Sequence, residues 1–380
     1  MYFCKTKRIH TIWHNTLYYI ELTYEELNAR RAKLHEREVA PPLPNIRRHD
    51  MHVGEIISLG VACSWTVTAL LAEVASKRIG SLPLNITRMA ISLTLLAIIL
   101  WVTTGVPYPY LADGKTWLRL CLSGFVGYVL GDYCLFNCYI HIGSRFGQLF
   151  MTLSAPTAAL LGRILLGEQM NEMAFLGMFV TLLGICITIL GKSDPDEKNK
   201  TGVKLRLPLK GVLYAIGAGV GQGFGLVLSK IGMEYYEASI AAQGIQDIYA
   251  YYSPNALLHI SMGTVMPFAS TMIRGLMGII GFSLALFVFG KNGGQQIADA
   301  VRDRKSMLCA LGSSFFGPCV GVSLSLMATL YTKTGIAQTI MSLTPILIIA
   351  PAAVLFHQKV TLREIVGAVV SVGGVCLFFL

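Results

Sequence analysis

Charge is what this chain has least of. Its 380 residues include 31 Lys and Arg and 21 Asp and Glu, together 14%, against 54% hydrophobic residues; an ordinary soluble domain is about 25% charged. So few charges cannot cover a folded surface facing water, which excludes a soluble globular protein. Recognisable reaction chemistry is equally scarce. There is no H-E-x-x-H pair, no P-loop and no clustered set of acid, base or metal ligands, which argues against a metal-dependent enzyme and a self-contained ATP-driven pump. No cofactor or metal is expected. The nine cysteines contain no C-x-x-C pair; Cys134 and Cys138 share a helix face without further ligands, and eight of the nine sit in apolar runs as small packing residues. No cleavable signal peptide opens the chain, because Lys5, Lys7, Arg8 and His10 interrupt its first apolar residues. The net charge of +10 lies in an N-terminal arm and in loops, so anionic membrane lipid, and not nucleic acid, is the expected partner of that charge.

What the chain does have is one apolar run after another, each close to the length of about 20 residues that a helix needs to cross a bilayer. The runs are Glu55–Ala75, Leu84–Thr103, Trp117–Tyr139, Gly147–Leu166 and Ala174–Leu190, then Gly211–Ile231, Pro267–Gly290, Ser306–Leu330, Gly335–Phe356 and Leu362–Leu380. The expected fold is therefore an all-α integral membrane protein of ten transmembrane helices. Residues 1–53 form a polar arm, 54–191 a first five-helix repeat, 192–210 a polar linker and 211–380 a second repeat, with an insertion at about 234–265. The arm carries nine Lys/Arg and six Asp/Glu up to His52 but no core; equally, translation starting at Met51 would make it no part of the protein. A chain beginning at Met51 is expected to insert and function normally, and its failure to fold would show that the arm packs on the spans.

The halves repeat each other. A shift of 190 residues lays Phe125, Gly127 and Gly131 on Phe315, Gly317 and Gly321, and Gln148, Met151 and Leu153 on Gln338, Met341 and Leu343. It also lays Gly177, Gly184 and Cys186 on Gly367, Gly374 and Cys376. An odd number of spans per repeat makes the second copy enter from the opposite side, an inverted-topology pair suited to alternating access at a central site. With "SAPTAALLGRILLGEQMNEMAFLGMFVTLLGICITIL" in one half and "LTPILIIAPAAVLFHQKVTLREIVGAVVSVGGVCLFFL" in the other, and an arginine early in the second span of each, the chain resembles the EamA-type transporters of the drug/metabolite transporter superfamily. The resemblance implies a non-enzymatic secondary transporter in the cell membrane, the cytoplasmic membrane in a bacterium, with cytoplasmic termini. It implies movement of a small metabolite, amino acid or drug by exchange or with protons. Its glutamate after the fourth span is matched by Glu168, but Gln358 stands in the second half. The alternative reading is a membrane-embedded enzyme acting on a lipid or polyprenyl substrate.

The residues expected to bind solute are those that apolar surroundings make costly. Arg88 and Arg274 lie inside spans, where a charge costs about 2.5–3.5 kcal/mol; they either snorkel to headgroups or face a cavity and attract an anionic or zwitterionic solute. Asp132 lies on one stripe with Tyr128, Leu135 and Tyr139, and reads either as an acceptor for a coupling proton or as half of a fixed ion pair with Arg88, Lys230 or the neighbours of Glu73; its counterpart is Val322. Gln148 and Gln338 coincide in the repeat and suit hydrogen bonding to solute or between helices. Trp65 is expected in the cavity wall. Glu73 and Lys230 end the first span of each half and read as interfacial. Gly217, Gly221 and Gly225 fail the dinucleotide-loop spacing and read as a close-packing helix face. A counter-solute and a homodimer are both compatible with this reading.

Overall fold

A computed structural model describes residues 53–166, 172–192, 203–205, 207–289, 292–331, 340–357 and 360–378. The arm, most of the linker, and the positions of Glu168, Gln338 and Gln358 lie outside the described residues. In hydrocarbon a backbone must satisfy its own polar groups, which selects helices, and nearly every described residue is helical. In chain order the helices are α1 (Val53–Ile79), α2 (Ser81–Thr104), α3 (Gly114–Gly124), the π-helical π1 (Phe125–Asp132), α4 (Tyr133–Met151), α5 (Ser154–Leu166) and α6 (Glu172–Ile189). After them come α7 (Leu209–Ala242), α8 (Met262–Phe289), α9 (Gly293–Arg302), α10 (Arg304–Ser314), the π-helical π2 (Phe315–Val322), α11 (Ser323–Tyr331), α12 (Thr344–Leu347), α13 (Ile349–Phe356) and α14 (Leu362–Phe378). Between α6 and α7, β1 (Leu190–Lys192) pairs antiparallel with β2 (Val203–Leu205), so the ends of the polar linker are joined.

Among the described residues six helical stretches are long and apolar enough to cross a membrane: Val53–Ile79, Ser81–Thr104, Gly114–Met151, Leu209–Ala242, Met262–Val288 and Arg304–Ala328. Phe175–Thr188 and Thr344–Phe356 are apolar but shorter. The expected third and fourth spans are divided differently from the sequence reading. Helix runs from Gly114 through Met151 and is broken within α4 at Gly143, whose backbone stands at φ 85° and ψ 163°, a region glycine enters without steric cost. The expected insertion also starts later than Glu234, because "MEYYEASIAA" contains neither Gly nor Pro and continues α7 to Ala242, with Tyr236 and Ile240 fully buried.

Small residues let the halves approach closely, and they do so reciprocally. On α6 and α14, a Cβ at Gly184 would strike the Ser371 amide, and one at Gly374 would strike the Thr181 amide. Between them the Ser371 hydroxyl donates to the Thr181 carbonyl at 3.2 Å and the Thr181 hydroxyl to the Ser371 carbonyl at 3.4 Å. Residues 181 and 371 are themselves 190 apart, so each half offers the other the same surface. The glycine face of α7 behaves as its spacing implies: a Cβ at Gly221 would lie 2.9 Å from the Gly131 Cα, and one at Gly225 would lie 2.7 Å from the Gly127 Cα. The Ser123 hydroxyl continues this seam, donating to the Gly225 carbonyl at 2.8 Å. Because backbone cannot give way as a side chain can, Gly225→Val is expected to cost at least the 1–3 kcal/mol or so of an overpacked core. It should lower the apparent melting temperature in detergent, whereas Gly60→Ala, with no neighbour within 4 Å among the described residues, should melt like the parent.

Ion pairs gather at the end of the bundle where α1 stops. Arg78 on α1 forks onto Asp303, at the start of α10, with bonds of 2.7 and 3.0 Å. The Arg78 bond, with one from the Ser306 hydroxyl, holds the Asp303 carboxyl well below the usual carboxylate range. A depressed carboxylate contributes stability above its unfolded value of about 3.9 and loses it only as pH falls through the lower folded value, so this link persists through neutral and mildly acidic pH. Deeper in, Arg145 on α4 pairs with Glu364 on α14 at 3.0 Å, the two side chains 8% and 10% exposed. Glu73 is not the interfacial residue its position implied: it is 1% exposed and receives the Ser144 amide at 2.6 Å and the Lys77 ammonium at 2.5 Å. It thereby supplies a negative charge to the amide end that the Gly143 break creates within α4.

Candidate functional site

The broken and π-helical segments converge on a cavity of about 150 Å³. Extra-wide π turns are rare and concentrate at functional sites; here π1 and π2 lie 190 residues apart and both contribute to the wall. Trp65 and Thr68 come from α1, Arg88 from α2, Tyr128 and Asp132 from π1, and Leu135, Phe136, Tyr139 and Gln148 from α4. The other half supplies Gln222 from α7, Arg274 from α8, Gly317 and Val322 from π2, and Met341 and Thr344. Six of the seven expected site residues, Trp65, Arg88, Asp132, Tyr139, Gln148 and Arg274, thus meet in one space. The seventh, Gln338, lies outside the described residues.

The arginines do not snorkel. Arg88 and Arg274 are 3% and 4% exposed, and each crosses to the other half. A Cβ at Gly317 of π2 would lie 2.9 Å from Arg88 Nη2, and one at Gly127 of π1 would lie 3.2 Å from Arg274 Nη2. Gly127 and Gly317 are the repeat-matched glycines, so these missing side chains leave the two guanidinium groups their room. Each guanidinium also lies on an aromatic ring of π1 or α4, Arg88 over Phe136 with 4.4 Å to the centroid and Arg274 over Tyr128 with 4.8 Å. Such contacts contribute about 0.5–2 kcal/mol each, so they offset only part of the cost of burying a charge.

Asp132 faces Arg88, with 3.7 Å between Oδ2 and Nη1. That separation is an ion pair but too long for a hydrogen bond. Asp132 Oδ1 is instead held from the other half by Gln222, whose Nε2 donates to it at 2.7 Å and to the Gly127 carbonyl at 3.1 Å. Several buried groups aimed at this region have no hydrogen-bond partner among the described residues: Arg88 Nε and Nη1, Arg274 Nε, the Tyr128 hydroxyl and the Thr68 hydroxyl. Buried donors are nearly always paired, so these guanidinium N–H groups are available to acceptor atoms. In the cavity wall, Gln148 Nε2 donates to the Tyr139 hydroxyl at 2.6 Å, and about one helical turn before Gln148 stands Arg145 with its buried pair to Glu364.

Sequence reasoning missed Gln222. It sits inside the glycine face "GVGQGFG" and was absorbed into the packing reading. The available signal was a second register: Ser64, Trp65, Thr68 and Glu73 precede Gly221, Gln222, Gly225 and Lys230 by 157 residues. Contacts follow that register, since a Cβ at Gly321 would lie 3.0 Å from the Trp65 ring and one at Gly131 would lie 3.2 Å from Gln222 Nε2. In this register the partner of Trp65 is the polar Gln222.

The profile of the EamA-like transporter family matches residues 52–190 and 255–380, the two stretches that supply π1, π2 and both arginines. No curated protein matches the chain. Among the solved structures, one crystal structure described only as that of a protein superposes with a TM-score of 0.53 at 15% identity, covering 86% of this chain and 96% of its own; at that identity it shows a shared fold alone.

Proposed function

This chain belongs to the EamA-like transporter family, and from that premise we propose that it is a secondary transporter moving a small anionic or zwitterionic solute through the Arg88–Arg274 cavity by alternating access. The observation that carries the reading is the crossing of two buried arginines, one from each half, into a single small cavity with unmet N–H donors. A carboxylate or phosphate supplies the acceptors that guanidinium groups lack here, in the forked geometry they favour. The aromatic surfaces of Trp65, Tyr128 and Phe136 suit the solute's apolar part.

Alternating access requires two arrangements of similar energy. Two five-helix repeats of opposite topology, crossing the membrane ten times in all, provide them by symmetry, and the reciprocal contacts Arg88–Gly317 with Arg274–Gly127 and Thr181–Ser371 support that architecture. Coupling to a counter-solute or a proton fits the same scheme, in a cell membrane. The test is a metabolite comparison of cells with and without the protein, followed by counterflow of the enriched compounds into liposomes containing purified protein. An acid or zwitterion should exchange across the liposome membrane. Folded protein that exchanges only cations or neutral compounds would overturn the reading.

A further inference from the structure

The two arginines are repeat-related, yet the acid beside them is not. Asp132 of π1 stands where π2 has Val322, so among the described cavity-lining residues two guanidinium groups face a single carboxylate. Two acids in symmetric places would leave the site neutral, and two valines would leave two unopposed positive charges. We propose that Asp132 sets the charge of the solute: it acts as a tethered internal anion that leaves the cavity one unopposed positive charge, and so selects solutes carrying one net negative charge over those carrying two. This deepens the anion-transport reading and rests on it.

Three features carry the assignment. Asp132 is fixed from the opposite half by Gln222 at 2.7 Å, so its charge stays in the cavity when a solute arrives. Its distance of 3.7 Å from Arg88 Nη1 leaves Arg88 Nε and Nη1 unbonded, so Asp132 offsets the arginine's charge without using up its donors. Arg274 has an unmet Nε and lies on the Tyr128 ring, and no ion pair joins it to an acid among the described residues. A monoanion accepting from these donors makes the filled cavity neutral. A dianion leaves a surplus negative charge beside the buried Asp132 carboxylate, and repulsion of unit charges at such range amounts to a factor of about ten or more in affinity.

The rival arrangement, in which each arginine takes one carboxylate of a dianion, makes the opposite prediction, and a matched pair of acids separates them. Succinate and its monoamide succinamate have nearly the same size and shape and differ by one charge near neutral pH. Stabilisation of the purified protein against heating, followed as each acid is titrated, is expected to require at least tenfold less succinamate than succinate. Asp132→Asn should abolish or reverse that preference, while Asp132→Glu should keep it. Preference of the unmodified protein for succinate, equal response to both, or an unchanged ratio in Asp132→Asn would overturn the assignment and leave anion binding standing. If neither acid stabilises the unmodified protein or Asp132→Asn, the inference and the anion reading fall together. Should Asp132→Asn not fold, the ratio in the unmodified protein decides alone.

Discussion

Lysine in place of Arg88 is expected to lower solute exchange about ten- to a hundredfold with the protein still folded in the membrane. A lysine keeps the charge, and with it the ion pair to Asp132, but it loses the planar fork and the flat contact over the Phe136 ring, 4.4 Å away in the parent. Losing one charge-assisted hydrogen bond to a bound anion amounts to about 1.5–3 kcal/mol, which is the quoted range of rates. Arg274→Lys should behave alike, because its guanidinium meets Gly127 and Tyr128 as Arg88 meets Gly317 and Phe136. Counterflow in liposomes, normalised to correctly folded protein, measures both. Parent-like rates for the two variants would assign the arginines to packing between the halves.

The largest effect on stability is expected at Arg145 and Glu364. Their pair is nearly closed to solvent, and the Thr361 hydroxyl already donates to Glu364 Oε1 at 3.0 Å, leaving Oε2 for Arg145 at 3.0 Å. Removing one member strands the other as a buried charge, which costs about 3–5 kcal/mol, whereas replacing both with apolar residues of similar volume restores much of the loss. Arg145→Met and Glu364→Leu should therefore each lower the apparent melting temperature sharply, and the double variant should lie well above either one. Because the pair ties α4 of the first half to α14 of the second, about one helical turn along α4 from the cavity-lining Gln148, all three variants also report whether this contact must break for exchange. Additive losses in the double variant would show that the two groups act independently.

The sequence by itself determined the solvent and singled out most of the polar residues that line the cavity. Sparse charge forces the chain into a membrane, hydrocarbon forces its apolar runs into helices, and matched glycines and arginines 190 or so residues apart mark the contacts that both halves make. Costly residues could be picked out one at a time, since a charge or amide within an apolar run needs a reason wherever the helix ends up; Arg88, Asp132, Arg274 and Gln148 were legible on that ground. Which partner satisfies each of them was not. A helix face seen alone does not say which neighbour it meets, so snorkelling and cavity-facing arginines look identical in sequence, and only the crossing of each guanidinium onto the opposite half's π-helical glycine separates the two. The same limit hid Gln222, whose amide matters because tertiary packing carries it to Asp132. It also hid Glu73, whose carboxylate looked interfacial until the break at Gly143 brought the Ser144 amide to it. Local chemistry fixes what each residue requires, and the pairing of distant helices decides which group supplies it.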